Sequence, residues 1–276
     1  MTARPGVVLP TVSADWLALR GRADAGSRSR ALVRELSPLL APGQLVVHDL
    51  GSGSGAMVRW LAPMLQGPQE WVLHDADPAI LGRRDPRPVR DRAGREIATR
   101  TSVEQLAELP PDAFRGASLV TASALLDVIT ADEARTIVDA CIAAGCPALF
   151  SLTVTGRVEL DLADPADAEF GAAFNDHQRR LADGRRLLGP DAAGVVARMF
   201  GSAGWTVRER ETPWRLGPGE PALVGEWLDG WVGAAVEQRP ALGGGASDYL
   251  LRRRAQLTGG RLSVVVDHRD VIAWPH

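Results

Sequence analysis

Two periods of hydrophobic spacing alternate along this chain. Leu32, Val33, Leu36, Leu39 and Leu40 recur at helical spacing until Pro42-Gly43 stops the run, which predicts a helix over 27–40 behind another over 14–22. Short apolar runs then predict strands over 45–49, 71–74, 117–121, 148–154, 206–211 and 262–267, with an edge strand over 96–100. Val271-Ile272 continues the last strand after a break. Between the strands lie a helix beginning near Gly55 and a short one that Asp77 caps and Pro78 opens. Further helices are expected over 131–144, 190–203, 219–237 and 246–257. Thr130 with Glu133 three residues on is a capping-box pair. Gly243-Gly244-Gly245 is read as a flexible break between two helices. Strands alternating with helices predict an α/β fold: a doubly wound, Rossmann-like parallel sheet covered on both faces.

The densest chemistry lies at the end of the first strand, where Val46-Val47-His48-Asp49-Leu50 runs into Gly51-Ser52-Gly53-Ser54-Gly55. Glycines at alternate positions remove the Cβ atoms that would keep the backbone away from a nucleotide-like ligand, and the N–H groups of the next helix then face the site. The second strand ends on Asp75, where a carboxylate can accept from a ribose. Gly51-x-Gly53-x-x-Ala56 also fits the looser nicotinamide fingerprint, which stands as the alternative.

These segments resemble class I S-adenosylmethionine-dependent methyltransferases of an actinobacterial type. Asp49, Gly51, Gly53 and Gly55 match the family's Asp-x-Gly-x-Gly-x-Gly motif, and Asp75-Ala76-Asp77-Pro78 matches its second motif. An acid two residues before the first glycine favours this family over the nicotinamide enzymes. The resemblance spans about 28 to 272, implies S-adenosylmethionine as donor and S-adenosylhomocysteine as product, and implies a seven-stranded sheet in the order 3-2-1-4-5-7-6 with the last-formed strand antiparallel. It places Gly51, Ser52 and Gly53 at the methionine part, counts Asp49 and Gly55 among the donor-binding residues, and sets Asp75 at the ribose and Ala76, Ser102 and Val103 around the adenine. Ala122, Ser123 and Ala124 would run beside the sulfonium, and Arg20 or Arg22 could close over the donor carboxylate. Two positions depart from the pattern: Ser102 stands where the family often has an adenine-binding acid, and Ser118 where it often has Asp at the start of strand four.

Composition narrows the field. The chain of 276 residues has no lysine, so all 31 Lys+Arg residues are arginine. That excludes Schiff-base enzymes of the pyridoxal type, Walker A and kinase lysines, and Tyr-x-x-x-Lys dehydrogenases. The net charge of −3 gives no reason to expect nucleic acid or an anionic membrane. No 18-residue apolar run is found, 1–14 has no apolar core behind a basic stretch, and Cys141 and Cys146 are the only cysteines; together these suggest the cytoplasm, with no disulfide framework. The chain reads as one domain over 1–276, with 1–29 and 216–258 as helical cap elements.

His177 and Asp127 are the candidate acid–base residues, needed only where the acceptor must lose a proton. Trp214, Trp227 and Trp231 could wall a flat or apolar acceptor, or simply pack beneath the cap. The arginines of 83–95 and of 179–186 read as solvated surface, with an anionic acceptor as the alternative for the second group. The five histidines show no metal-ligand spacing, and no Asn/Asp-Pro-Pro-Tyr follows strand four. The expectation is methyl transfer to oxygen or nitrogen of a small-molecule acceptor, by a monomer or homodimer. An RNA methyltransferase or a non-catalytic donor-binding partner protein are its rivals.

Overall fold

The computed structural model describes residues 13–182 and 184–276. The first twelve residues of the expected cap at 1–29 lie outside this range. Helix α1 (Ala14–Ser27) opens on Ser13, whose side chain accepts from Trp16 N, and α2 (Arg30–Leu36) opens on Ser29, which accepts from Leu32 N. Extended backbone at Arg28 separates the two, so the helix expected over 27–40 is shorter and ends in a 3-10 turn at Ser37–Leu39.

Strand β1 (Leu45–Leu50), α3 (Ala56–Leu61), β2 (Gln69–Asp75), α4 (Pro78–Leu81) and β3 (Ala98–Val103) form the first half. Then follow β4 (Leu119–Ser123), α5 (Ala131–Ala144), β5 (Ala148–Leu160), α6 (Asp167–Gln178), a hairpin of β6 (Leu181–Ala182) and β7 (Arg185–Arg186), and α7 (Ala192–Ser202). Strands β8 (Thr206–Glu211) and β9 (Trp214–Leu216), helices α8 (Pro221–Gln238) and α9 (Gly243–Thr258), and β10 (Val264–Trp274) complete the chain. The main sheet runs β3-β2-β1-β4-β5-β10-β8, with β9 also on β10. Strand β10 is antiparallel to β5 and to β8, while the pairs from β3 to β5 are parallel. This is the 3-2-1-4-5-7-6 order implied by the resemblance.

Several boundaries differ from the sequence pattern. Gly243-Gly244-Gly245 is the first turn of α9, entered directly from a 3-10 turn at Pro240–Leu242, so it is no flexible break. Val271 and Ile272 belong to one continuous β10, which absorbs two register shifts instead of breaking. Strand β3 lies further along than 96–100, and the β6–β7 hairpin and β9 are additional.

The core divides into three apolar clusters. One packs Leu50, Val120, Ile137 and Phe150 beneath α5 and α7; another packs Leu32, Val47, Trp71 and Leu149 beneath α2 and α3. The third lies away from the parallel strands, where Phe170, Trp214, Trp227, Trp231 and Tyr249 join α6, α8 and α9 to the far ends of β5 and β10. Two sheet faces and a separate helical layer leave the carboxyl ends of β1, β2 and β4 open to a cavity, at the switch point where such folds bind ligands.

Candidate active site

That cavity measures about 460 Å³. Its floor is the turn after β1, where Gly51, Gly53 and Gly55 have φ of 57°, 54° and 85°. A side chain at Gly51 would be strained by that φ, and its Cβ would fall 2.8 Å from Leu125 Cδ1. The turn is pinned to the next strand: Ser52 N donates to His74 O at 2.9 Å and Gly53 N to Asp75 Oδ2 at 2.9 Å. Asp75 also accepts from Asp77 N at 3.0 Å. Its carboxylate therefore stands fixed at the cavity wall.

Beneath the turn, Asp49 is fully buried. Thr121 Oγ1 donates to its Oδ1 at 2.8 Å, whereas Oδ2 has no partner. Burial is the main cause that pushes this carboxyl up to about 7. Ser52 Oγ, also on the cavity wall, is likewise buried and unpartnered.

Helix α1 forms the roof with Leu17, Arg20, Asp24 and, at its end, Arg28. The Arg28 side chain is only 2% exposed; its Nε and Nη2 donate to Ser123 Oγ at 3.2 and 3.0 Å, and the nearest carboxylate, Asp24, is 4.0 Å away. Burial lowers the pKa of this guanidinium below the usual arginine value. Asp24 is already engaged, accepting from Arg20 Nε at 2.9 Å and from Trp214 Nε1 at 3.1 Å. The cavity is thus bordered by a lining residue whose enclosed carboxylate oxygen has no donor and by a buried cation with no close anion. Such groups are costly unless a ligand answers them, and an α-amino acid zwitterion carries the charges that would.

On the side of β3 the wall is Glu104, Gln105 and Leu106, faced by Leu125 and Val128. Of the residues named from sequence, Asp49, Gly51, Ser52, Gly53, Asp75 and Ala76 line the cavity. Gly55, Ser102, Val103 and Ala122 do not. Gly55 shapes the turn and lies against Val58 and Arg84, and Ala122 is buried within β4. Ser102 and Val103 pair with His74 and Asp75 inside the sheet, and Val103 is 58% exposed. The acid that reaches the cavity is Glu104, the first residue past β3. It escapes notice when that strand is ended at 100, and a strand run through to Val103 makes it conspicuous. Arg28 carries no comparable signal, because its place depends on contacts with β4, far along the chain.

The two acid–base candidates stand elsewhere. His177, near the end of α6, lies 3.3 Å from the Glu237 carboxylate of α8 and beside Arg180, apart from the cavity. Burial and Arg180 lower its pKa. Asp127 occupies the 3-10 turn Leu126–Val128 between two lining residues, but its Oδ1 is enclosed and unpartnered and burial raises its pKa. Trp227 and Trp231 stack at 5.3 Å inside the helical layer and are not on the cavity wall. No residue of 216–258 reaches that wall, whereas α1 does. Of the arginines named earlier, Arg20 reaches the roof, lying 4.9 Å over the Trp214 ring.

No protein-family model matches this chain, and no curated protein matches it. Among solved structures, it is similar to the cyclopropane synthase MmaA2 from Mycobacterium tuberculosis, at 12% identity over 95% of this chain and 94% of that one, with a TM-score of 0.48. A cyclopropane-fatty-acyl-phospholipid synthase-like protein from Lactobacillus casei has 14% identity over 97% and 96%, with a TM-score of 0.46. An O-methyltransferase family protein from Burkholderia thailandensis has 16% identity over 92% of this chain and 57% of its own, with a TM-score of 0.42. At such distances the likeness says nothing of this chain's reaction.

Proposed function

We propose that this chain transfers a methyl group from S-adenosylmethionine to an oxygen or nitrogen atom of a small-molecule acceptor. The observation that carries the reading is the pairing, in one cavity, of the unpartnered Asp49 Oδ2 with the nearly unpaired Arg28 guanidinium. They complement the ammonium and carboxylate of the donor's methionine end. Asp75 would accept from the ribose hydroxyls and Glu104 from the adenine amino group, with Leu106 and Val128 beside the ring. The nicotinamide alternative fits less well, because its pyrophosphate would meet the Asp49 carboxylate at the glycine turn, where like charges repel.

When bound, the donor supplies a sulfonium methyl, an electrophile activated without metal or acid. The residues then have to hold donor and acceptor in line and keep water out. Arg28 and Asp49 fix the amino-acid end, the glycine turn lets the backbone come close, and the α1 roof covers the site. Ser123 and Ala124, at the end of β4 on the cavity wall, would flank the sulfonium of a bound donor. Ala124 takes a left-handed φ of 52°, a conformation that costs about 1–3 kcal/mol in a non-glycine residue and is concentrated at functional sites. The RNA alternative would have to draw on the arginines of 83–95 and 179–186, four of which are already paired: Arg87 with Asp85, Arg95 with Asp91, Arg179 with Asp191 and Arg185 with Glu133.

The test is calorimetric titration with S-adenosylmethionine, S-adenosylhomocysteine and NAD. The first two should bind at micromolar levels and NAD should not. Asp75→Ala should weaken the binding roughly 10- to 100-fold, as expected for lost charge-assisted hydrogen bonds. Binding of NAD alone would overturn the reading.

A further inference from the structure

His48 on β1 and His74 on β2 lie on the same face of the sheet, one strand apart, between Phe114 and the cavity. Their rings lie within 23° of parallel with centroids 5.0 Å apart, meeting edge to edge so that His48 Nδ1 is 2.9 Å from His74 Nε2. His74 Nδ1 in turn bonds Glu104 Oε1. Both histidines are buried, at 5% and 4% exposure, and Phe114 meets each ring edge-on. Glu104 and His74 both line the donor cavity, and the only side chain bonded to Glu104 among the described residues is His74.

The direction of this chain follows from what each group can do. A carboxylate only accepts, so His74 Nδ1–H donates to Glu104. A neutral imidazole has one N–H, so His74 Nε2 accepts and His48 Nδ1–H donates to it. Burial, then His74 and Arg100, holds His48 down at about 4, and burial lowers His74 against the opposing pull of Glu104, so both shifts favour neutral rings. One tautomer of each ring satisfies every bond.

We propose that His48 and His74 are positioning residues that order the protons leading to Glu104, keep its carboxylate an acceptor at the cavity wall, and so make the donor site select a 6-amino purine over a 6-oxo purine. This rests on the donor reading above. An adenine amino group donates to that carboxylate. A hypoxanthine presents a carbonyl there instead, and two acceptors would face each other with no proton between them. The histidines need no contact of their own with the donor's base. They act through Glu104, by fixing which of its oxygens is engaged and where the other stands.

The test compares binding of S-adenosylhomocysteine with that of S-inosylhomocysteine, by calorimetry at pH 7.5. The intact protein should prefer the amino form by about 30-fold or more, the scale of one charge-assisted hydrogen bond plus an unmatched acceptor. Glu104→Gln, which can donate as well as accept, should bring the ratio within about threefold of unity. His74→Phe should lower the ratio at least about fivefold, while His74→Asn, whose amide can replace the Nδ1–H, should keep it. A purely structural role would weaken both ligands alike and leave the ratio unmoved; that result in His74→Phe overturns the proposal. Ring ¹⁵N spectra of the unliganded protein give a second readout, with both histidines expected neutral and protonated on Nδ1. A cationic ring, or the opposite tautomer at His74, overturns the proposal without any ligand. If the intact protein binds neither homocysteine nucleoside, the donor reading itself has failed, which these spectra distinguish from failure of the relay.

Discussion

The glycine turn after β1 and the helical layer around Trp231 are built on one sheet by different means. The turn is specified by neighbours in sequence: positive φ at three glycines, and a carboxylate at the end of the next strand that accepts from Gly53 N. The layer is specified by residues far apart, with Phe170 of α6, Trp231 of α8 and Tyr249 of α9 meeting around one cluster, and Arg253 tied to Asp167 across it. The first kind of order puts polar groups where a ligand can meet them. The second buries aromatic rings whose work is cohesion.

That contrast can be broken at four points. Trp231→Ala should cost the most, about 3–5 kcal/mol of stability by denaturant unfolding, as large core truncations do. Its affinity for S-adenosylhomocysteine should stay within about threefold, since the ring lies off the cavity. A large affinity loss with little change in stability would place the aromatic layer in the binding site after all. Arg28→Met should behave in the opposite way. Removing a buried cation that lacks a close anion should leave the unliganded protein about as stable or more so, and should weaken S-adenosylhomocysteine roughly 10- to 150-fold, the equivalent of about 1.5–3 kcal/mol.

Asp49 provides the third test, through protons. Its carboxyl titrates at about 7 in the fold against 3.8 unfolded, so the folded chain holds a proton that the unfolded chain has lost between those values. The stability this group contributes is full below 3.8 and is lost as pH rises through about 7. A donor ammonium placed at Oδ2 would favour the charged form. Binding should then release about half a proton at pH 7 and nearly one at pH 6, measured by calorimetry in buffers of different ionisation enthalpy. Asp49→Asn should abolish that release; an unchanged release would mean that the proton comes from elsewhere. The smallest effect is expected at His177→Gln, which should alter turnover of an acceptor by less than about threefold, because Glu237 and Arg180 hold the ring away from the cavity. A hundredfold fall in rate would restore His177 as a base.

What could be read from the sequence follows the same division. That Asp49, Gly51, Ser52, Gly53, Asp75 and Ala76 line one cavity was legible because a strand, a turn and the next strand's end are fixed within about 30 residues by backbone geometry. The sheet order was legible through the same motif. Ser102 and Val103 were misplaced relative to the cavity because the solvated β3, exposed at Ala98 to Thr101, has no apolar alternation to set its end. Arg28 and the His48–His74–Glu104 chain were illegible for a deeper reason. Their meaning lies in which strands become neighbours, and a histidine on one strand carries no mark of its partner on another.

Helix α1 is fastened to the rest of the molecule through two indoles. Trp60 Nε1 donates to Ala25 O at 3.1 Å, Trp214 Nε1 donates to Asp24 Oδ1, and Ser27 Oγ donates to Pro213 O. Any undocking of α1 has to loosen these ties, and doing so changes the surroundings of two nearly buried fluorophores, at 8% and 3% exposure. The chain therefore carries its own optical gauge: the colour and brightness of its tryptophan emission should follow the docking of that helix in real time, with no label attached.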